Sequence, residues 1–186
     1  MRVIAGQYRG RRIAPPEGRQ TRPTTDRVRE SLMSTLTSML RGTMKGVCVL
    51  DAFAGSGAFG IECLSRGAAW VCLCDDSKRA LTTIKGNCSF IPATDVSIQR
   101  VDMTKALPNL AGHTFDLTFF DPPYAMDARE VAQIVSRLDQ TRALSPTCII
   151  AYEHASKDSD LVLQAFSSIE CDFVKRKDFH STSISF

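Results

Sequence analysis

Asp121-Pro122-Pro123-Tyr124 is the stretch whose residue types most directly imply chemistry. It comes after the apolar run Phe115-Asp116-Leu117-Thr118-Phe119-Phe120, which reads as a buried strand leading into an acid. Two consecutive prolines stop the strand and stiffen the turn beyond it, because each fixes its own φ, lacks an N–H and restricts the residue before it. The Asp121 carboxylate and the Pro122 carbonyl are thereby held as acceptors beside an aromatic ring. Such a set suits a flat base carrying an exocyclic amine. The two amine hydrogens go to Asp121 and Pro122 while Tyr124 stacks on the ring, at roughly 1–3 kcal/mol per base. A plain proline turn after a strand is the competing reading, and the tetrad alone does not decide between them.

The elements needed to position this tetrad are written in the rest of the chain. From residue 47 onward, short apolar runs alternate with helical stretches, the pattern of a parallel sheet with crossover helices. Strands are expected at residues 47–51, 69–74, 96–101, 115–121 and 147–153, with helices at 58–66 (closed by Gly67), 77–87 and 127–140. The tail adds a helix near 161–166 and strands at 169–177 and 182–186. Ahead of the sheet, Val28, Leu32, Leu36, Met39 and Leu40 share one helical face, and Gly42 stands where a C-terminal cap belongs. Residues 2–13 alternate loosely around Gly6 and Gly10, so residues 3–5 and 11–13 are expected to pair as a hairpin.

Between the first strand and its helix lies Asp51-Ala52-Phe53-Ala54-Gly55-Ser56-Gly57-Ala58-Phe59-Gly60. Glycines there let the backbone turn tightly and approach a nucleoside or nucleotide at the carboxyl edge of the sheet. Gly55, Gly57 and Gly60 also satisfy G-x-G-x-x-G, and Asp75 lies 20 residues after Gly55, so a dinucleotide site is a rival. Acids at the ends of strands one, two and three (Asp51, Asp75, Asp102) favour another ligand. Asp75 suits the two ribose hydroxyls, Asp102 an adenine amine, and Asp51 an amino-acid ammonium or its waters. S-adenosylmethionine offers these donors and a sulfonium, without a pyrophosphate. A strand-end acid can equally be a helix cap, and the case rests on the three together with the tetrad.

Composition bounds the rest. With 186 residues, 44% hydrophobic and 23% charged, the chain is sized for one well-buried domain. No run approaches eighteen apolar residues and none follows the charged start, so neither secretion nor membrane spanning is supported. Seven cysteines is an odd number, and Cys48, Cys63, Cys72, Cys74 and Cys148 sit in apolar segments. Cys72-Leu73-Cys74 has no second pair at zinc spacing, so free thiols in a reducing cytoplasm, and no metal, are expected. His113, His154 and His180 are scattered without ligand spacing. The net charge of +3 hides an asymmetry: residues 1–29 carry eight arginines against Glu17 and Asp26, a balance of +6, which leaves −3 for the remainder. A basic front end on a mildly acidic body points to a polyanionic partner, a solubilising arm being the alternative.

The Arg-rich opening with Arg22-Pro23-Thr24 leading into Arg27-Val28-Arg29-Glu30, the segment Leu50-Asp51-Ala52-Phe53-Ala54-Gly55-Ser56-Gly57, and Asp121-Pro122-Pro123-Tyr124 together carry a resemblance over nearly the whole chain. The sequence resembles the bacterial 16S rRNA guanine-N2 methyltransferases of the RsmD type, which modify the small-subunit guanine at nucleotide position 966. It departs from that pattern at Asp75-Asp76, where the family pair begins with glutamate, and at His180, where the family has glycine. The resemblance implies an α/β fold, a Rossmann-like seven-stranded methyltransferase sheet with a basic N-terminal hairpin extension, the arm at residues 1–23 and the methyltransferase domain at 24–186. It implies S-adenosylmethionine held by Asp51, Phe53, Gly55, Gly57, Asp75, Asp76, Asp102, Met103 and Asp121, with Asp121, Pro122, Pro123 and Tyr124 at the reacting base. Arg2, Arg9, Arg11, Arg12, Arg22, Thr24 and Arg27 are the implied RNA contacts. A cytoplasmic monomer acting on 16S rRNA, naked or in an assembling small subunit, is expected. The rivals are an adenine-amine methyltransferase on DNA or RNA, an RNA-binding assembly factor with a vestigial site, and a nicotinamide-dependent oxidoreductase, for which the proline tetrad has no use.

Overall fold

A run such as Cys48-Val-Leu-Asp51 has no polar face to show water, and β1 (Cys48–Asp51) accordingly lies inside a sheet covered on both sides. The computed structural model describes residues 1–15, 26–169 and 171–186. Seven strands form one sheet: β1, β2 (Trp70–Asp75), β3 (Val96–Arg100), β4 (Phe115–Phe120), β5 (Leu144–Ala155), β6 (Arg176–Phe179) and β7 (Thr182–Ser185), in the order β3-β2-β1-β4-β5-β7-β6. The first five are parallel; β7 runs antiparallel to β5 and β6. Among the described residues, five α-helices accompany them: α1 (Asp26–Met39), α2 (Ala58–Ser65), α3 (Lys78–Asn87), α4 (Ala128–Gln140) and α5 (Ser159–Phe166).

Strand alternation divides the core into two layers. Val49, Val71 and Leu73 pack with Leu32, Leu36, Ile61 and Ile84, so α1, α2 and α3 cover one face. Leu50, Cys72 and Cys74 pack with Val131, Ile134, Leu138 and Val162, so α4 and α5 cover the other. Gly60 brings α2 down onto β2: a methyl group there would run into the side chains of Leu73 and Val71. No helix among the described residues is long and apolar enough to cross a membrane.

The arm differs from the expected hairpin. Residues 1–13 double back with Val3 N donating to Arg11 O and Gly10 N to Val3 O, both at 2.9 Å, yet only the single bridge Arg2↔Arg12 forms. Residues 1–3 and 10–13 satisfy one another, Ile13 N donating to Met1 O at 3.0 Å and Met1 N to Ile13 O at 3.1 Å, whereas α2 satisfies residues 4–8 and stops the pairing there. Ile4 N and Ala5 N donate to the carboxylate of Glu62 at 2.8 and 3.1 Å, and Tyr8 N donates to Ser65 Oγ at 2.9 Å. Gly6 (φ 83°) lies against the Ser65 carbonyl so closely that a Cβ would collide with it. Farther along, Asn87 both donates to and accepts from the backbone of Ala14, at 2.9 Å each, and donates to Ser56 O at 2.8 Å. The arm therefore reaches from the last turn of α2 to the glycine loop. Its expected boundary at residues 23 and 24 lies outside the described residues.

The tail also corrects the sequence reading. Residues 169–177 alternate like a strand, but β6 begins only at Arg176, because β7 offers four residues to pair with. Conversely β5 starts at Leu144, ahead of the expected residue 147, and its register against β4 shifts between the pairs Phe115↔Leu144 and Leu117↔Ile149, around Pro146. His180, between β6 and β7, adopts φ 58°, the left-handed conformation that glycine takes without strain.

Candidate active site

Strand order reverses between β1 and β4, so the connections from these neighbours leave on opposite faces and a crevice opens at their carboxyl ends. The glycine loop after β1 lines it. Gly55 (φ 55°) and Gly57 (φ 76°) take left-handed conformations, and Gly57 serves as the N-cap of α2 without a capping side chain. Asp75 pins the loop: its Oδ2 accepts from Gly55 N and its Oδ1 from Ser77 N, both at 2.9 Å, while Ala54 N donates to Cys74 O at 2.8 Å. Each Asp75 oxygen retains lone-pair capacity for a ligand hydroxyl.

A first cleft of about 70 Å³ brings together Phe53, Asp75, Asp76, Asp102 and Met103, five of the residues expected around the cofactor, with Pro123 and Met126 closing one side. It is smaller than a nucleoside, and the half-buried Phe53 and Met126 must turn aside to admit one. A second cleft, of about 330 Å³, is lined by Pro122, Pro123, Tyr124, Met126, Tyr152 and Glu153 among others. That volume lies at the lower end of ligand pockets. Pro123 and Met126 line both clefts, so the loop after β4 separates them, with the exposed Asp121 at its start. Tyr124 is 75% exposed, leaving its ring free to stack.

The partition is held at its far end by a capping box. Asp127 accepts from Arg129 N at 2.8 Å, and Glu130 accepts from Asp127 N at 3.1 Å, seating α4 directly after the tetrad loop. Inside the loop, Met126 N donates to Pro123 O at 2.9 Å. Asp127→Ala is expected to lower stability by about 1 kcal/mol in urea denaturation. It should also raise KM for the base-bearing substrate more than that for the cofactor.

Two of the strand-end acids sit differently from their sequence assignment. Asp51 is only 1% exposed and accepts from Gly60 N at 3.3 Å, so it caps the first turn of α2 instead of opening onto the crevice. Burial pushes its carboxyl up to about 8, the Gly60 amide partly offsetting this and the charges of Asp121 and Asp75 adding to it. Asp102 is engaged locally: it accepts from Thr104 N at 3.1 Å, Thr104 Oγ1 at 2.6 Å and Lys105 Nζ at 2.6 Å. The Lys105 ammonium foremost, then the Thr104 hydroxyl, hold it down to about 2. Asp75 and Asp121 thus gather negative charge around the crevice, beside an Asp51 that is largely neutral at pH 7, an environment that favours a cationic ligand.

Arg2, Arg9, Arg11 and Arg12 are exposed on the arm, with the Arg11 guanidinium over the Phe90 ring at 4.8 Å. Arg22, Thr24 and the side chain of Arg27 lie outside the described residues. Sequence reasoning missed Met126, which carries no recognisable signal, and Glu153. The rule that found the other acids, an acid at the carboxyl end of a strand, also applies to Glu153.

This sheet order, glycine loop and switch-point crevice are the Rossmann-like methyltransferase fold. The chain belongs to the family described as Conserved hypothetical protein 95, whose profile matches residues 1–186. It is 35% identical over 167 residues to the ribosomal RNA small subunit methyltransferase D of Haemophilus influenzae, covering 87% of this chain and 82% of that protein. Among solved structures, a hypothetical protein of Thermus thermophilus superimposes with TM-score 0.75 at 21% identity, covering 100% of this chain and 97% of that one. Magnesium protoporphyrin IX methyltransferase of Synechocystis PCC 6803, solved with bound S-adenosylmethionine, shares the fold at TM-score 0.63 and 15% identity, over 84% of this chain and 77% of that one.

Proposed function

We propose that this protein transfers a methyl group from S-adenosylmethionine to the exocyclic N2 amine of a guanine in 16S rRNA, the guanine at position 966 in the family numbering. It acts as a monomer in the cytoplasm, on free RNA or on an assembling small subunit. The observation that carries the reading is the shared wall: Pro123 and Met126 face a cleft lined with nucleoside-binding residue types on one side and an open cleft beside an exposed Tyr124 on the other. The Haemophilus relative's name supplies the substrate class.

When bound, S-adenosylmethionine would supply an electrophilic methyl on a sulfonium, and its positive charges would suit the carboxylates of Asp75 and Asp121. Asp75, Phe53 and Met103 line one cleft; there Asp75 would accept from the ribose hydroxyls and Phe53 and Met103 would flank the adenine. On the other side of the wall the chain's task is to prepare a poor nucleophile, since the lone pair of the guanine amine is delocalised into the ring. Hydrogen bonds from that amine to Asp121 and the Pro122 carbonyl favour a pyramidal nitrogen and aim its lone pair across the partition. Catalysis is then chiefly positioning. The Asp121 carboxylate also offsets the positive charge that develops on nitrogen. Tyr124 stacking helps repay the few kcal/mol of taking the base out of its stack.

Binding of labelled S-adenosylmethionine in preference to NAD, with methyl incorporation into unmodified small-subunit RNA, tests the assignment. Binding of NAD alone would overturn it. The arm is expected to grip phosphates. If about four arginines touch the backbone, log affinity for RNA falls with log salt at a slope of roughly −3. A slope near zero removes the arm from the RNA surface.

A further inference from the structure

The proposed acceptors Asp121 and Pro122 account for the amine, but an amine alone does not distinguish guanine from adenine. What differs is the atom beside it. Guanine presents an N1–H donor next to its N2 amine, whereas adenine presents an unprotonated N1 next to its N6 amine. A site that reads this difference needs an acceptor adjacent to Asp121. The sheet provides one. Parallel β4 and β5 pair Phe120 with Tyr152, so the next residues along, Asp121 and Glu153, emerge side by side from neighbouring strands, whose spacing is about 4.8 Å. Glu153 is half-buried and lines the same cleft as Pro122, Pro123 and Tyr124.

We propose that Glu153 is the specificity-determining residue of the base cleft, its carboxylate accepting the N1–H of guanine while Asp121 and Pro122 accept the neighbouring N2 amine. This rests on the guanine reading above and sharpens it, since an adenine turned into the same place would set its N1 lone pair against the ionised carboxylate, a clash that protonation of Glu153 relieves. Burial first, and the charge of Asp121 second, push Glu153 up to about 8. Other charged groups on the cleft are Asp127 and Arg129 at the start of α4, and Asp158 in the turn before α5. His154, the next residue of β5, is committed elsewhere, its ring bonded to Ser185 Oγ at 2.9 Å and Ala155 O at 3.0 Å. Below pH 8, therefore, seating guanine must displace a proton from Glu153, and kcat/KM rises between pH 6 and 8.

The experiment compares substrate RNA carrying guanine or 2-aminopurine at the target position, at pH 6 and at pH 8.5. 2-Aminopurine keeps the N2 amine but has no N1–H. Ionised Glu153 accepts from the guanine N1–H, whereas protonated Glu153 can donate to an unprotonated N1, so the wild-type ratio of kcat/KM on guanine to that on 2-aminopurine is expected to rise at least about tenfold between the two pH values. Glu153→Gln, which does not titrate, should leave that ratio nearly independent of pH. Its S-adenosylmethionine affinity should be unaltered, which also reports that it is folded. A wild-type ratio that does not change with pH would overturn the proposal without needing any variant, as would a Glu153→Gln enzyme that keeps the wild-type pH dependence. Absence of any transfer to guanine RNA would instead sink the parent reading, and this one with it.

Discussion

Asp121→Asn is expected to slow methyl transfer by about 10²–10³-fold, the usual loss when one preorganised group facing developing charge is removed. The substitution keeps an oxygen acceptor and the shape of the side chain, so what it removes is charge. The loss should fall on kcat, since the positive charge appears on nitrogen only as the methyl arrives. Cofactor affinity should fall much less, because the Asp75 carboxylate remains on the crevice. Single-turnover kinetics at saturating cofactor, beside equilibrium binding, separate the two effects. An asparagine enzyme with wild-type turnover would leave positioning by the prolines as the whole of the catalysis and remove the electrostatic role of Asp121.

Glu62→Ala should give the largest loss of stability among the described polar contacts. The Glu62 side chain is fully buried and accepts from three donors: Ile4 N at 2.8 Å, Ala5 N at 3.1 Å and Arg66 Nε at 2.8 Å. Truncation leaves two arm amides without their acceptor and Arg66 without its ion partner. Each unsatisfied buried group costs about 1–3 kcal/mol, so a loss of about 3 kcal/mol is expected. The arm carries the exposed arginines and reaches the glycine loop through Asn87. RNA affinity should therefore fall together with stability, and the arm should become open to protease. A Glu62→Ala protein that melts like wild type with a protected arm would show that Ser65 and Asn87 suffice to hold it.

The five parallel strands were legible because each is a short apolar run bounded by turn residues. The ends of the chain were not. Alternation at residues 2–13 and 169–177 mimics strands, but pairing requires a free partner edge. The arm pairs only at residues 1–3 and 10–13, the amides of Ile4, Ala5 and Tyr8 going to the carboxylate of Glu62 and the hydroxyl of Ser65, and β7 was too short to extend β6. Glu62 itself read as one polar position in an apolar helix, and only tertiary structure reveals that it serves another segment. At the site, the glycine loop and the tetrad were local and therefore readable. The burial of Asp51 depends on how α2 settles over the end of β1 through the Gly60 amide, a contact between elements. That Pro123 and Met126 form one wall between two clefts is likewise a property of the assembled sheet edge, not of any one segment.

The most direct measurement is to incubate the protein with S-adenosylmethionine carrying a labelled methyl group and unmodified small-subunit RNA or particles, then digest the RNA and identify and map the modified nucleoside. A single N2-methylguanosine is the expected product. Label on an adenine amine, or none above background with either substrate, would contradict a guanine clamp built on Asp121 and Pro122.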